Sequence, residues 1–294
     1  MSQNVTNLSA PATERTLYVT DLDGTLLGPD KRLSDVSARI LDRLIKDGAL
    51  ITCATARSWI TVQRLLGDFR FQLPMVLYNG TFIYDSLNDR VLAQHELDTA
   101  TVRSILQACR RHGQPPLVYW LDGTREQVSW VVGVNNAGMK RFWADRPEDP
   151  RNAPRATWEE LAVDHVFNIV AIGTKETLER VVEEMGPDAR DNSTFHLQRD
   201  TYHPEDFYLE IAPKLASKAE AVLQLKHLLG ATRLAVFGDN LNDLSMFTIA
   251  DESYAVANAA IEVLEAATEV IDFNSNDGVA RWLDSNTAQG LPDT

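Results

Sequence analysis

The chain has 294 residues, 44% of them apolar, enough for one large domain or two modest ones with a sizeable buried core. Its 42 acidic and 28 basic side chains leave a formal charge of −14, which argues against sequence-independent binding to a nucleic acid polymer or an anionic membrane, since both need clustered Lys and Arg. Cys53 and Cys109 stand far apart outside any CxxC pattern, so neither a disulfide framework nor a zinc site is expected. With no signal-like N-terminus and no run of about 18 apolar residues, the expected compartment is the cytoplasm.

In chain order, TLYVTDLDGT reads as a first strand, and SDVSARILDRLIKDG as a helix with Ser34 as its cap, Val36, Ile40, Leu41 and Leu44 on one face and Gly48 at its end. ALITCATAR gives a second strand and SWITVQRLLGDF a second helix. PMVLYNGTFIYD then reads as a third strand, a turn at Asn79-Gly80 and a short return strand. Beyond it the style changes. LVYWLDG with EQVSWVVGV suggests a hairpin, HVFNIVAIGT leads into the helix KETLERVVEEMG, and FHLQRD and FYLEIA follow as strands. RFWADRPEDPRNAPRATW, rich in Pro and charge, reads as a loop with little structure of its own. LAVFGDNLNDLSMFTIA returns to the theme of strand, acidic loop and helix, and SYAVANA and TEVIDF give two more short strands. The expected class is α/β, with residues 1–85 and 206–294 forming one discontinuous domain and 86–205 an inserted α+β domain.

Two acidic clusters sit where predicted strands end. Asp21 and Asp23 are two apart, so on an extended chain both carboxylates face one spot beyond the carboxyl edge of a parallel sheet, where open α/β folds place ligands. Like charges held together call for a cation, and a hard divalent ion such as Mg²⁺ suits oxygen ligands. The alternatives are structural: Asp23-Gly24 as a plain turn, and in GDNLND a helix cap at Asn242 with Asp243 complementing the helix dipole.

Asp21, Asp23 and Gly24 of DLDGTL, Thr55 and Arg57 of ATAR, Lys218 of ASKAEA, and Asp239, Asn242 and Asp243 of GDNLND follow one another as the motifs of the haloacid dehalogenase superfamily do. Together with YNGTFIYD and EIAPKLASK they most resemble its Cof-type phosphatases, which carry a cap domain of type IIB between the second and third motifs. Ala56 and Ala219 depart from that pattern, standing where Gly is common. The resemblance implies a Rossmann-like parallel-sheet core with an inserted α+β cap, and Mg²⁺-dependent hydrolysis of a small phosphorylated metabolite through an aspartyl-phosphate. In it Asp21 is the nucleophile, and Asp23 protonates the leaving oxygen and later deprotonates water. Thr55 and Lys218 bind phosphate, with Lys214 a rival to Lys218. Asp21, Asp23 through its main-chain carbonyl, Asp239 and either Asn242 or Asp243 surround the metal. A phosphotransferase or mutase on the same core, and a silent regulatory protein, are the alternatives; a nicotinamide-dependent dehydrogenase would need a GxGxxG after the first strand, which is missing. Trp120, Trp130, Trp143, His196, Tyr202, His203 and Asp206 are the insert's aromatic and polar candidates for substrate contact, with packing the favoured reading of the tryptophans. Nothing in the sequence indicates an oligomeric state.

Overall fold

A computed structural model describes residues 15–287 except 145, 147, 201 and 202. The chain opens with β1 (Thr16–Thr20), α1 (Asp35–Lys46), β2 (Leu50–Cys53), α2 (Trp59–Leu66) and β3 (Met75–Leu77). It continues through β4 (Phe82–Asp85), β5 (Arg90–Gln94), α3 (Thr99–Arg111), β6 (Pro116–Asp122), β7 (Arg125–Ser129), α4 (Ala137–Ala144), β8 (Val166–Gly173), α5 (Lys175–Glu184), α6 (Pro187–Asp191), β9 (Ser193–Arg199) and β10 (Phe207–Pro213). It closes with α7 (Lys218–Leu228), β11 (Arg233–Gly238), α8 (Leu244–Ile249), β12 (Glu252–Val256), α9 (Ile261–Ala266), β13 (Glu269–Ile271) and α10 (Gly278–Thr287). Two compact units result, one of Met1–Gly80 with Lys218–Thr294, the other of Thr81–Ser217. No helix among the described residues is long and apolar enough to cross a membrane.

The first unit is an α/β layer structure around a parallel sheet of order β13-β12-β11-β1-β2, which a bridge from Ala54 to Val76 carries on toward β3. Leu17 and Val19 of β1, and Leu234, Ala235, Val236 and Phe237 of β11, are all fully buried, as the inner strands of a doubly covered sheet must be. The Ser34 hydroxyl accepts the Ser37 N–H at the start of α1, a cap worth about 1 kcal/mol, and Leu41 and Leu44 go into the core. β1 stops earlier than its sequence suggests, at Thr20, because a turn takes over at Leu22. Cys53 and Cys109 are both free and buried, which raises both thiols above their ordinary pKa.

The second unit is built on an antiparallel sheet of order β7-β6-β8-β10-β9. One face of it, with Val118, Ile169, Ala171, Leu209 and Ile211, shares a core with Val102, Ile105 and Cys109 of α3 and with Leu178 and Val181 of α5. The sequence reading passed over α3, although its Asp98 cap, which accepts the Thr101 N–H at 2.8 Å, and its buried stripe are the ordinary helix signals. FYLEIA, expected beyond the insert, is β10. It pairs with β8 on one side and β9 on the other, so the insert runs on to Ser217.

The Pro-rich stretch is a correction. Its first residues belong to α4, and beyond them the Arg151 carbonyl accepts the Val128 N–H (2.7 Å), Ala153 N–H donates to Val128 O (2.9 Å) and Arg155 N–H to Trp130 O (2.8 Å). β7 is an edge strand, and this segment satisfies its open side. The Arg151 guanidinium anchors it to Asp149 at 2.7 Å and Glu126 at 3.3 Å. The tryptophans pack: Trp120 donates to Ser129 at 2.9 Å and leans on the core, while Trp130 and Trp143 stack with centroids 4.0 Å apart.

Glu210, on β10 between Val170 and His196, has its carboxyl raised above the usual carboxylate range by burial, with His196 opposing. Its folded-state pKa therefore lies above its unfolded one, so the stability it permits is complete below the unfolded value and is lost as pH rises through the folded one. Glu210→Gln, which cannot ionise, should raise the melting temperature at pH 8 and leave it unchanged at pH 4. Equal shifts in melts at the two pH values would show that charge is not the cause.

Candidate active site

β1 delivers Asp21 to the carboxyl edge of the sheet, where its N–H donates to Phe237 O at 3.0 Å and its carboxylate is buried. The chain then turns sharply through Leu22–Leu26, with Gly24 at φ +78°. A β-carbon on Gly24 would come within 2.3 Å of Asp239 Oδ2, so glycine is what lets the turn lie against the second acidic loop. Thr25 ties the two together by donating to Asp239 Oδ1 at 2.9 Å.

β11 ends at Gly238 and hands on to Asp239 and to the short turn Leu241–Asp243. Asn240, not Asn242, caps this turn, in a reciprocal box with Asp243. Asp243 is fully buried: Oδ2 accepts the N–H groups of Asp239 (3.0 Å) and Asn240 (3.1 Å), and Oδ1 accepts from Lys218 at 2.7 Å. Lys218, the first residue of α7, reaches Asp21 Oδ1 at 2.6 Å with the same ammonium and is itself 2% exposed. Lys214 is exposed on the surface.

One atom each from Asp21, Asp239 and Asp243 lies within 4.8 Å of the others, so these three carboxylates could hold a metal ion. With Lys218 the only cation bonded to them among the described residues, the group carries a formal charge of −2 when all three are ionised. Burial therefore dominates and pushes Asp21 up to about 7, with Lys218 opposing and Asp243 adding to the rise; Asp239 goes up to about 6, again by burial. Lys218 stays cationic, since burial works to lower its pKa but Asp21 and Asp243 more than offset it. A hard divalent cation fits this donor set in charge and in oxygen chemistry. Asp21 Oδ2 and Asp239 Oδ2 take no hydrogen bond from the described residues, whereas both oxygens of Asp243 are engaged.

The remaining expected site residues make no hydrogen bond to that trio among the described residues. The Asp23 carboxylate receives Nε and Nη2 of Arg57, both at 2.7 Å. Arg57 belongs to the ATAR motif but had no role assigned from sequence; its spacing from Asp23 gives no cue. Thr55 is buried and its Oγ1 accepts the Arg57 N–H at 3.2 Å, leaving the hydroxyl proton uncommitted among the described residues. Ser58 caps α2. Asn242 is exposed and its amide donates to Asn79 Oδ1 at 3.2 Å. In the second unit Asp206 pairs with Arg141, His196 is exposed on β9, and Tyr202 lies outside the described residues.

Fold and site together define a class: an α/β enzyme core with buried carboxylates and a lysine at the carboxyl ends of parallel strands, interrupted by a second unit. The profile of the haloacid dehalogenase-like hydrolases matches residues 18–283. The 5-amino-6-(5-phospho-D-ribitylamino)uracil phosphatase YwtE of Bacillus subtilis is 24% identical over 90% of this chain and 95% of its own. The pyridoxal phosphate phosphatase YbhA of Escherichia coli is 24% identical over 90% of this chain and 96% of its own. Among solved structures, TM0651 of Thermotoga maritima shares the fold with a TM-score of 0.77 at 24% identity, over 92% of this chain and 97% of that one. The chain belongs to the haloacid dehalogenase-like hydrolases.

Proposed function

We propose that this protein is a Mg²⁺-dependent phosphatase that hydrolyses a small phosphorylated metabolite through an aspartyl-phosphate on Asp21. The observation that carries the reading is the buried ammonium of Lys218 shared by Asp21 and Asp243, within a carboxylate group that still lacks two positive charges. Asp21 attacks phosphorus as the bond to the leaving oxygen breaks, and Asp23 gives that oxygen its proton. Asp23 then takes a proton from water as the water oxygen attacks the aspartyl-phosphate, releasing inorganic phosphate and restoring the Asp21 carboxylate. Thr55 offers its free hydroxyl proton and Lys218 its charge to the phosphate oxygens. Asp21, Asp239 and the main-chain carbonyl of Asp23 would hold Mg²⁺, with Asp243 orienting Lys218; once bound, the ion would offset the repulsion between carboxylate and phosphate dianion.

The relatives are named as phosphatases of 5-amino-6-(5-phospho-D-ribitylamino)uracil and of pyridoxal phosphate, which supports a sugar phosphate, nucleotide or phosphate-bearing cofactor as the substrate class here. Choice among such metabolites falls to the inserted unit in its cap role, since the motif residues serve only phosphate and metal. The two free, buried thiols suit a reducing cytoplasm. Phosphate release from sugar phosphates, nucleotides, flavin mononucleotide, pyridoxal 5′-phosphate and p-nitrophenyl phosphate should be present with Mg²⁺ and vanish with EDTA. A folded protein that released phosphate from none of them in Mg²⁺ would refute the reading, and transfer to an added sugar in place of release would make it a phosphotransferase.

A further inference from the structure

The turn at Tyr78–Gly80 has two consecutive residues other than glycine in the left-handed region, Tyr78 at φ +48° and Asn79 at φ +52°. Asparagine tolerates that conformation, but a tyrosine adopts it only where its surroundings over-determine it, and such strain gathers at functional sites. Here the surroundings are the motif loops. Asn79 N–H donates to Thr55 O at 3.0 Å, and Tyr78 N–H donates to Arg57 O at 3.3 Å. From the other direction, Asn242 Nδ2 donates to Asn79 Oδ1 at 3.2 Å, and α7, which begins at Lys218, packs against the same turn. The guanidinium whose main chain is held in this way is the one that grips the Asp23 carboxylate through two bonds of 2.7 Å.

We infer that Asn79 is a positioning residue for phosphoryl transfer: by joining the loop of Asn242 to the loop of Thr55 and Arg57, it sets where Arg57 holds the acid Asp23. The inference rests on the phosphatase reading, and goes beyond it by naming a residue that touches neither phosphate nor metal. Its chemistry is specific. A p-nitrophenolate departs without needing a proton, whereas the alkoxide of an alkyl phosphate does not, so a displaced Asp23 slows alkyl esters selectively.

The test compares pyridoxal 5′-phosphate, an alkyl ester, with p-nitrophenyl phosphate in wild type, Asn79→Gly, Asn79→Asp, Arg57→Ala and the double variant Asn79→Gly/Arg57→Ala. Asn79→Gly keeps the left-handed backbone and deletes the acceptor. It should lower kcat for the alkyl ester by about tenfold or more, with KM little changed and the aryl ester much less affected. Asn79→Asp, which keeps both the acceptor and the tolerance of positive φ, should restore most of the loss. In the Arg57→Ala background the glycine change should add nothing, because both act through one contact. Equal losses on the two esters, or losses that add in the double variant, would overturn the inference and leave the phosphatase reading standing. Should pyridoxal 5′-phosphate not be cleaved, the alkyl ester compared is the one of the panel that wild type turns over fastest, and wild type that released phosphate from none of the panel in Mg²⁺ would sink both.

Discussion

Asp21→Asn should release phosphate at least on the order of 10⁴-fold more slowly than wild type, and should melt no lower. The first half follows from chemistry. An amide of the same shape keeps the hydrogen bond from Lys218 but offers no anionic oxygen to phosphorus, so the covalent step is lost. The second half follows from charge. Among the described residues the buried Asp21, Asp239 and Asp243 have only Lys218 bonded to them as a cation, and the rise of the Asp21 carboxyl to about 7 says that its ionised form is held at a cost. Removing that charge relieves the folded state, the usual exchange of stability for activity at a catalytic site. The check is phosphate release with Mg²⁺, beside thermal melts with EDTA and with Mg²⁺. Mg²⁺ should raise the melting temperature of wild type more than that of the variant. Wild-type turnover in Asp21→Asn would end its assignment as nucleophile, and a clear drop in its melting temperature with EDTA would end the charge argument.

Lys218→Met is the opposite case, in which activity and stability fall together. The methionine fills most of the space of the lysine stem, so the change is chiefly the loss of the ammonium that lies 2.6 Å from Asp21 and 2.7 Å from Asp243. Breaking a buried pair by removing one partner costs roughly 3–5 kcal/mol, because the charge left behind is neither solvated nor matched. Here two carboxylates lose their ammonium at once, and Asp243, fully buried and held on its other oxygen by two backbone N–H groups, would have to give up those bonds to move toward water. Urea unfolding with EDTA should therefore show a large loss for the first unit. Saturating Mg²⁺ should recover part of the stability, by adding positive charge beside Asp21, and none of the turnover, since it would not put the lost ammonium back against the phosphate oxygens. Lys214→Met, at an exposed position, should change neither; if it proved the damaging substitution, the two lysines would have to exchange roles.

What could be read in the sequence was what local chemistry decides. The inner strands appear as unbroken apolar runs, Ser34 stands where a cap belongs, and the acidic loops follow β1 and β11 in the order of the family's motifs. What could not be read depends on distant parts of the chain. Asp23 was expected to face the same spot as Asp21, but Arg57, 34 positions away, takes its carboxylate. Asn242 looked like the cap and a metal neighbour; Asn240 does the capping because Asp243 folds back onto the N–H groups of Asp239 and Asn240. The Pro-rich stretch has no periodicity of its own and gains its order from the open edge of β7. α3 is different, since its signals were in plain view.

The interruption of the first unit has a consequence for how the protein is made. β1 has β2 on one side, only some thirty residues later, but its other neighbour is β11, and the ammonium that answers Asp21 lies 197 positions downstream. A ribosome therefore emits this inner strand with one edge bare and its carboxylate unmatched, then the whole of Thr81–Ser217, before anything can complete them. The inserted unit, self-contained in sequence, is free to fold while the first unit waits as an open half-sheet. Closure by β11 is a late, long-range event of the kind that sets a slow folding rate, and the nascent chain is most exposed to aggregation in the interval before it.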